Sequence, residues 1–329
     1  MAARRSSAAV NRAVEIGLSV AIVSMDEETP RVLVIHRAGE PADALPFGPF
    51  DPLAHRTMEE GLRSWVEAQT YLQLGYVEQL YTFGDRGRHL ARPSDGPRIV
   101  SVGYLALTRP QSAPKAHDVI WRGWYGYFPW EDWRETEPAI IAAAIKPRLL
   151  AYAQAAPDRE TKERRLDRIR LCFGFDGLGW DEEKVLERYE LLYGAGLVAE
   201  AARDGRPAPP DDAAAKPLAG QAMVFDHRRI LATAMGRLRA KMKYRPVVFE
   251  LMPPEFTLWE LQRTVEAISG IRLHKQNFRR LVESQGLVEG TGKQSRKTGG
   301  RPAERFRFRR DVLRERPAPG LRLAARRGR

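Results

Sequence analysis

The segment from Pro254 to Phe308 carries start, stop and turn signals that admit few arrangements of helix and strand. Thr257 and Glu260 have the spacing of a capping box, in which hydroxyl and carboxylate satisfy each other's backbone N–H groups at a helix start. Leu258, Leu261, Val265 and Ile268 then recur as one apolar stripe, and Gly270 stops the helix. After a short turn, a second helix is expected from about His274 to Ser284, with Phe278, Leu281 and Val282 facing the core. Its other face carries Gln276, Asn277, Arg279 and Arg280, and Lys275 at the helix start is a further DNA-contact candidate. Arginine matches the paired acceptors of guanine, and Gln or Asn matches adenine, so this face is a base-reading set. Gly286-Leu287-Val288 starts a strand. A basic, glycine-punctuated loop follows, with Lys293, Arg296, Lys297 and Arg301, and Arg305-Phe306-Arg307-Phe308 returns as a second strand. Two helices, a strand, a basic loop and a returning strand make a winged helix-turn-helix whose wing suits phosphate or minor-groove contact.

Charge agrees with that reading. The chain has 329 residues with 54 Lys plus Arg against 42 Asp plus Glu, a formal charge of +12. Such a balance favours a polyanionic partner, and the excess lies toward the C-terminus. A single cysteine, Cys172, excludes an intramolecular disulfide framework and a Cys-based zinc cluster, so a reducing cytoplasm is the expected compartment. The apolar run Leu18 to Val23 is too short to span a bilayer, and no membrane partner is expected.

Ahead of this unit, Leu18–Ser24, Val32–His36, Val77–Phe83 and Ile99–Leu107 read as strands, with a helix from about Thr57 to Leu72. Strands with one intervening helix indicate a mixed α/β domain. Aromatics crowd Trp121 to Trp133, fit either to cap its core or to line a pocket. From Pro138 the pattern turns helical: Ile140–Ala155, Arg159–Cys172 and Asp181–Leu192, then a Pro-rich linker from Gly205 to Asp212. A helix from Asp226 to Lys243, with Ile230, Ala234, Leu238 and Met242 on its apolar side, joins the front of the chain to the winged helix. The expected fold class is α+β. An N-terminal α/β/α domain spans 12–137, a helical insertion with its linker 138–221, the connecting helix with the winged helix 222–312, and a basic tail 313–329. The arm Met1–Asn11 is expected to be disordered, and the insertion to serve dimerisation.

Two stretches of the first domain resemble the Nudix family. Leu45-Pro46-Phe47-Gly48-Pro49-Phe50 is similar to its Leu-Pro-Gly-Gly entry loop. Leu62 to Tyr71 sits where the signature Arg-Glu-U-x-Glu-Glu-x-Gly-U belongs, U being apolar. The resemblance implies glutamates that hold magnesium ions, which activate water to cleave a nucleoside diphosphate bond. Arg63 and Glu67 are present, but Ser64, Ala68 and Thr70 replace the neighbouring signature residues, and Ala54 or its neighbours stand for the upstream glutamate, with a spacing longer by one residue. Mg²⁺ asks for several oxygen ligands with carboxylates to offset its charge, so no metal site and no catalytic residue is expected. Glu60, Arg63 and Glu67 are expected instead to form ion pairs along the helix.

Gly75 to Arg88, Val100 to Leu107, Phe225 to Leu231 and Phe249 to Gly270 are similar to the Nudix-related (NrtR-like) transcriptional regulators of NAD metabolism, in particular the longer alphaproteobacterial NadQ form. This resemblance implies a homodimeric repressor of NAD-synthesis or salvage genes on a palindromic double-stranded operator. Its inactive Nudix-like domain would need no cofactor and would sense NAD, ADP-ribose or ATP. Candidate nucleotide contacts are His36 and Arg37 at a strand end, Arg86 and Arg88 after Phe83, and Tyr81 and Trp124 as stacking rings. Nucleotide binding is expected to tilt the Asp226–Lys243 helix and so change the spacing of two recognition helices. Two rival classes remain: an active hydrolase of the ADP-ribose pyrophosphatase type with accessory DNA binding, and an RNA-binding or nucleoid protein that uses its charge without sequence preference.

Overall fold

A computed structural model describes residues 14–85, 98–109, 116–206, 218, 220–295, 302–312 and 321. The arm Met1–Asn11, most of the Pro-rich linker and nearly all of the basic tail lie outside these residues. Eight strands and eight α-helices of the described chain are numbered in order below.

The first domain is built on β1 (Val14–Asp26) and β2 (Thr29–Ile35), a hairpin turning at Glu27 and Glu28, with Glu27 at φ 51°. A six-stranded sheet runs β4 (Tyr76–Phe83), β5 (Arg98–Leu107), β1, β2 and β6 (Val119–Gly123), with β3 (Phe47–Pro49) paired to β1. β1 and β5 are parallel, and the remaining pairs are antiparallel. Alternation along β1 feeds both faces. Leu18, Val20 and Ile22 meet Leu62 and Val66 of α1 (Met58–Thr70), while Ala21, Val23 and Met25 join the opposite core. That opposite core contains α6 (His227–Met242), which completes an α/β/α sandwich. Gly103 on β5 lets α6 approach: a Cβ there would stand 3.0 Å from Phe83 and 3.1 Å from Ile230.

The sequence reading missed β3 and β6. Phe47-Gly48-Pro49 is too short and too rich in turn residues to give a periodic signal, and Val119–Gly123 merges into the aromatic run. That run is core, not pocket wall: Trp124, Tyr127, Phe128 and Trp130 are fully buried.

The helices α2 (Lys146–Gln154), α3 (Arg159–Phe173), α4 (Val185–Gly194) and α5 (Ala199–Arg203) follow, α2 being entered through a π-turn at Ile141–Ile145. They are not an outlying lobe. α4 packs along α6, and Tyr189, Leu192, Val198 and Ala201 lie in the same core as the sheet. Two buried ion pairs sew the region in: Arg188 to Glu131, and Arg228 to Glu200.

α6 has Ile230, Ala234, Leu238 and Met242 buried as expected, but Leu231, Ala232, Met235, His227, Arg228 and Arg239 are buried as well. A helix enclosed on most of its circumference at crystal-like density has no room to tilt alone. A tilt of this helix on nucleotide binding would therefore have to carry its neighbours with it. Asp226 occupies its N-cap position without a side-chain capping bond. From the tail, Leu321 docks at the helix end, fully buried, its N–H 3.0 Å from the Met242 carbonyl.

Candidate nucleic-acid interface and nucleotide site

The capping box forms as the spacing predicts. Thr57–Glu60 and Thr257–Glu260 both show the reciprocal geometry, at the starts of α1 and α7 (Leu258–Ser269). Gly270 ends α7 at φ 75°, a left-handed position that glycine adopts freely. Beneath the following turn lies Glu266, almost fully buried, a residue the sequence reading did not single out. Its Oε1 accepts from the Leu273 N–H at 3.0 Å and from Gln262 Nε2 at 2.8 Å, while Oε2 receives Arg272 at 2.9 Å and Arg263 at 3.2 Å. One carboxylate thus fixes the turn between the helices.

α8 (Lys275–Gln285) begins one residue later and ends one residue beyond expectation. Phe278 and Val282 anchor it, and Leu281 is half-buried. Lys275, Gln276, Asn277, Arg279 and Arg280 are all exposed, the last four on the side away from that anchor and Lys275 at the helix start in line with Val282. Asn277 and Arg280 stand 3.4 Å apart, and Arg279 lies 3.6 Å from Glu283, so the base-reading set is one contiguous polar surface. The wing is β7 (Val288–Ser295) paired with β8 (Ala303–Phe308). It is held down by Phe308 stacked on Phe249 at 4.4 Å and by reciprocal backbone bonds between Phe256 and Phe306. Of the predicted wing cations, Lys293 is exposed but ion-paired to Glu255 at 2.6 Å. Arg296, Lys297 and Arg301 lie outside the described residues.

The nucleotide candidates are dispersed. Trp124 is fully buried in the core and is no stacking platform. Tyr81 is exposed on edge strand β4, whereas His36 follows β2, three strand spacings or roughly 14 Å across the sheet. Arg86 and Arg88 lie outside the described residues. His36 and Arg37 do sit together, Arg37 in an exposed turn. Beside them is a cluster that sequence reading missed, because its central residue, Asp43, stands in a Pro-rich loop without periodicity. The buried Asp43 carboxylate accepts from the Tyr127 hydroxyl at 2.5 Å, pairs with His36 Nδ1 at 2.8 Å and lies 3.6 Å from Arg122 Nε. Burial, together with the facing carboxylate, pushes the Tyr127 phenol far above its ordinary range, so it remains a donor. His36 and Arg122 are each about two-fifths exposed or slightly less, so one rim presents an imidazole and a guanidinium around a buried carboxylate.

The carboxylates of the Nudix-type helix are engaged within the protein. Glu59 pairs with Arg63 at 2.8 Å, Glu60 is consumed by its capping box, and Glu67 accepts from Gln73. This also corrects the expected pairing. Glu60 is the third residue of the helix, where its carboxylate folds back to the cap, leaving Arg63 to Glu59 and the Gly75 carbonyl. Trp65 lies over the entry loop, its Nε1 donating to the Pro49 carbonyl at 2.7 Å, and a Cβ on Gly48 would fall 2.3 Å from its ring. Among the described residues, no three His, Cys, Asp or Glu side chains are grouped to hold a metal ion. Nor is any described helix long and apolar enough to cross a membrane.

Comparison with known proteins accords with this geometry. Residues 248–308 match the family described as the NrtR DNA-binding winged helix domain. The ADPR responsive transcriptional repressor NtrR of Acinetobacter baylyi is 45% identical over 86 residues, 26% of this chain and 34% of that protein. The chain therefore matches about a third of that relative's length. Over the whole molecule, Shewanella oneidensis NrtR, crystallised with a 27mer DNA, superposes with a TM-score of 0.51 at 19% identity, covering 91% of this chain and 95% of that one. A MutT/nudix family protein of Enterococcus faecalis gives 0.51 at 15% identity, covering 90% and 86%. Residues 248–308 thus match the NrtR DNA-binding winged helix, and the chain as a whole shares the fold of Shewanella oneidensis NrtR.

Proposed function

We propose that the chain is a transcriptional repressor that reads duplex DNA through α8 and the wing, under control of a nucleotide held by its Nudix-type domain. The observation that carries this is the contiguous exposed face of Gln276, Asn277, Arg279 and Arg280, mounted on Phe278 and Val282 and braced by Glu266. The Nudix-type domain acts as a sensor and not as a hydrolase, a reading supported by the carboxylates of its helix, which are engaged by the Thr57 cap, by Arg63 and by Gln73. NAD, ADP-ribose and ATP are the effectors to test, with ADP-ribose first, since the Acinetobacter relative is named for its response to it. The rim of Arg37 and Arg122, with His36 beside them, supplies the cations that a diphosphate asks for. A homodimer on a palindromic operator, residence in the cytoplasm and control of NAD genes complete the reading, with the helical region 138–221 marking the longer NadQ form.

The test is DNA retention with a duplex selected from a random pool by the full chain, titrated with each nucleotide. Preference over random duplex by roughly 10³ or more, altered by one nucleotide, is expected. Equal affinity for every duplex would instead indicate charge-driven binding. Steady AMP release from ADP-ribose with Mg²⁺ would overturn the sensor-only assignment.

A further inference from the structure

The last carbonyls of any α-helix lack partners within the helix and must find them elsewhere. At the end of α7 those partners come from the sensor side. The Tyr125 hydroxyl donates to the Ala267 carbonyl at 2.6 Å, Arg239 Nε donates to the Ile268 carbonyl at 2.9 Å, and the Trp133 N–H donates to the Gly270 carbonyl at 2.7 Å. Arg239 is in turn held by the buried Glu131, which lies in the same short segment as Tyr125 and Trp133. The chain passes directly from these carbonyls through the turn at Gly270 into α8.

The middle of that segment points back into the sensor. Two residues after Tyr125, the Tyr127 hydroxyl donates to Asp43, whose other carboxylate oxygen holds His36. The segment itself is stiff. Tyr127, Phe128 and Trp130 are fully buried, and Arg228 clamps the Tyr127 carbonyl. A rigid element contacting both sites can transmit a displacement of one to the other, provided the ligand distinguishes its two positions.

The geometry points to residues 125–133 as the relay between nucleotide and DNA: a change in the hydrogen bonding of Asp43 displaces Tyr127, and Tyr125 with Trp133 moves the carbonyl end of α7 and the turn into α8. Tyr125 is a positioning residue in this device, touching neither DNA nor nucleotide. The inference rests on the sensor reading for its ligand but not for its wiring, and the two are tested separately.

The wiring is read by amide hydrogen exchange on the full chain without ligand. Tyr127→Phe removes one hydroxyl and keeps the ring, and it is expected to speed exchange of the Trp133 and Gly270 amides by about fivefold or more. Unchanged exchange there overturns the relay. The coupling is read by duplex affinity with and without ADP-ribose. Tyr125→Phe is expected to bind duplex and ADP-ribose each within about threefold of the parent, while a shift of about tenfold or more in the parent shrinks below about threefold. Retention of the full shift by Tyr125→Phe also overturns the relay. If no nucleotide alters DNA binding by the parent while Tyr127→Phe still speeds exchange at Gly270, the sensor reading fails and the wiring stands.

Discussion

Arg239 Nη1 lies 2.8 Å from Glu131 Oε2 with both side chains fully removed from solvent, and Arg188 closes on the other carboxylate oxygen at 2.6 Å. Two guanidiniums on one carboxylate leave the site positive, and backbone carbonyls of Cys172, Asp181, Glu182 and Ile268 take up the remaining donors. Removing one member of such a buried group strands the others and typically costs about 3–5 kcal/mol. Glu131→Gln is therefore expected to lower stability by that amount in urea unfolding. A loss below about 1 kcal/mol would show that the network is solvated in solution.

Gly270 presents a sharper case, because two separate effects act at one position. Its φ of 75° strains any residue with a Cβ, and that Cβ would fall 2.4 Å from the Glu131 carbonyl oxygen. Gly39 has a φ of 86° with nothing within 4 Å, and so carries the strain alone. Gly39→Ala should cost about 1–2 kcal/mol and Gly270→Ala more, by a further 1–3 or so for the clash with backbone. Equal losses by thermal unfolding would mean that the approach of Glu131 to the helix end is looser than described.

These two positions also mark what the sequence discloses and what it hides. Gly270 was legible as a helix stop because capping and termination are local: the Thr257 hydroxyl, the Glu260 carboxylate and the glycine act within a few residues of each other. The face of α8 was legible for the same reason, since periodicity alone separates Phe278 and Val282 from Gln276 and Arg280. Glu131, Arg188 and Arg239 were not, because a lone Glu or Arg in a mixed-charge stretch looks solvated until folding brings together residues 57 and 108 positions apart. Asp43 was hidden likewise: its partners Tyr127 and Arg122 come from a distant segment, and its own loop has no pattern. Trp124 misled because an aromatic cluster reads equally as core or as stacking surface, and only burial decides.

DNA contacts give a third prediction. Glu255 faces Lys293 on the wing, and the Lys293 hydrogen bond holds its carboxyl below the usual range, so the pair is charged at neutral pH. Glu255→Gln frees the Lys293 ammonium for a phosphate. It should tighten binding to every duplex and steepen the salt dependence by up to about 0.9 in log K against log salt. Lys293→Ala should do the reverse. Arg280→Ala differs in kind: it should relax base preference, with a loss of about 1–3 kcal/mol on the selected duplex and little change in salt slope. Filter binding across salt concentrations separates them, and exchanged phenotypes would move the reading face from α8 to the wing.

The final prediction concerns alkaline pH. Burial raises the phenols of Tyr127 and Tyr189 well above 10, their ordinary value, and shifts Tyr76, Tyr104 and Tyr125 the same way. In the unfolded chain these groups ionise from about pH 10, while the folded chain keeps their protons. The unfolded state then binds fewer protons, so stability falls as pH rises. Each tyrosine contributes a stabilisation that is fully present below pH 10 and disappears as pH climbs toward its folded value. The slope is about 1.4 kcal/mol per pH unit for each fully retained proton. Buried Cys172 and the ion-paired Lys241 and Lys243, all raised, act in the same direction. Urea midpoints should therefore hold steady up to about pH 8, ease as the unfolded thiol ionises, and drop steeply between about pH 10 and 12. Tyr127→Phe, which has no phenol to ionise, should remove about one proton equivalent from that slope whatever its effect on stability at neutral pH. An unaltered slope would mean that the Tyr127 hydroxyl already ionises in the folded protein, and its bond to Asp43 would then have to be abandoned.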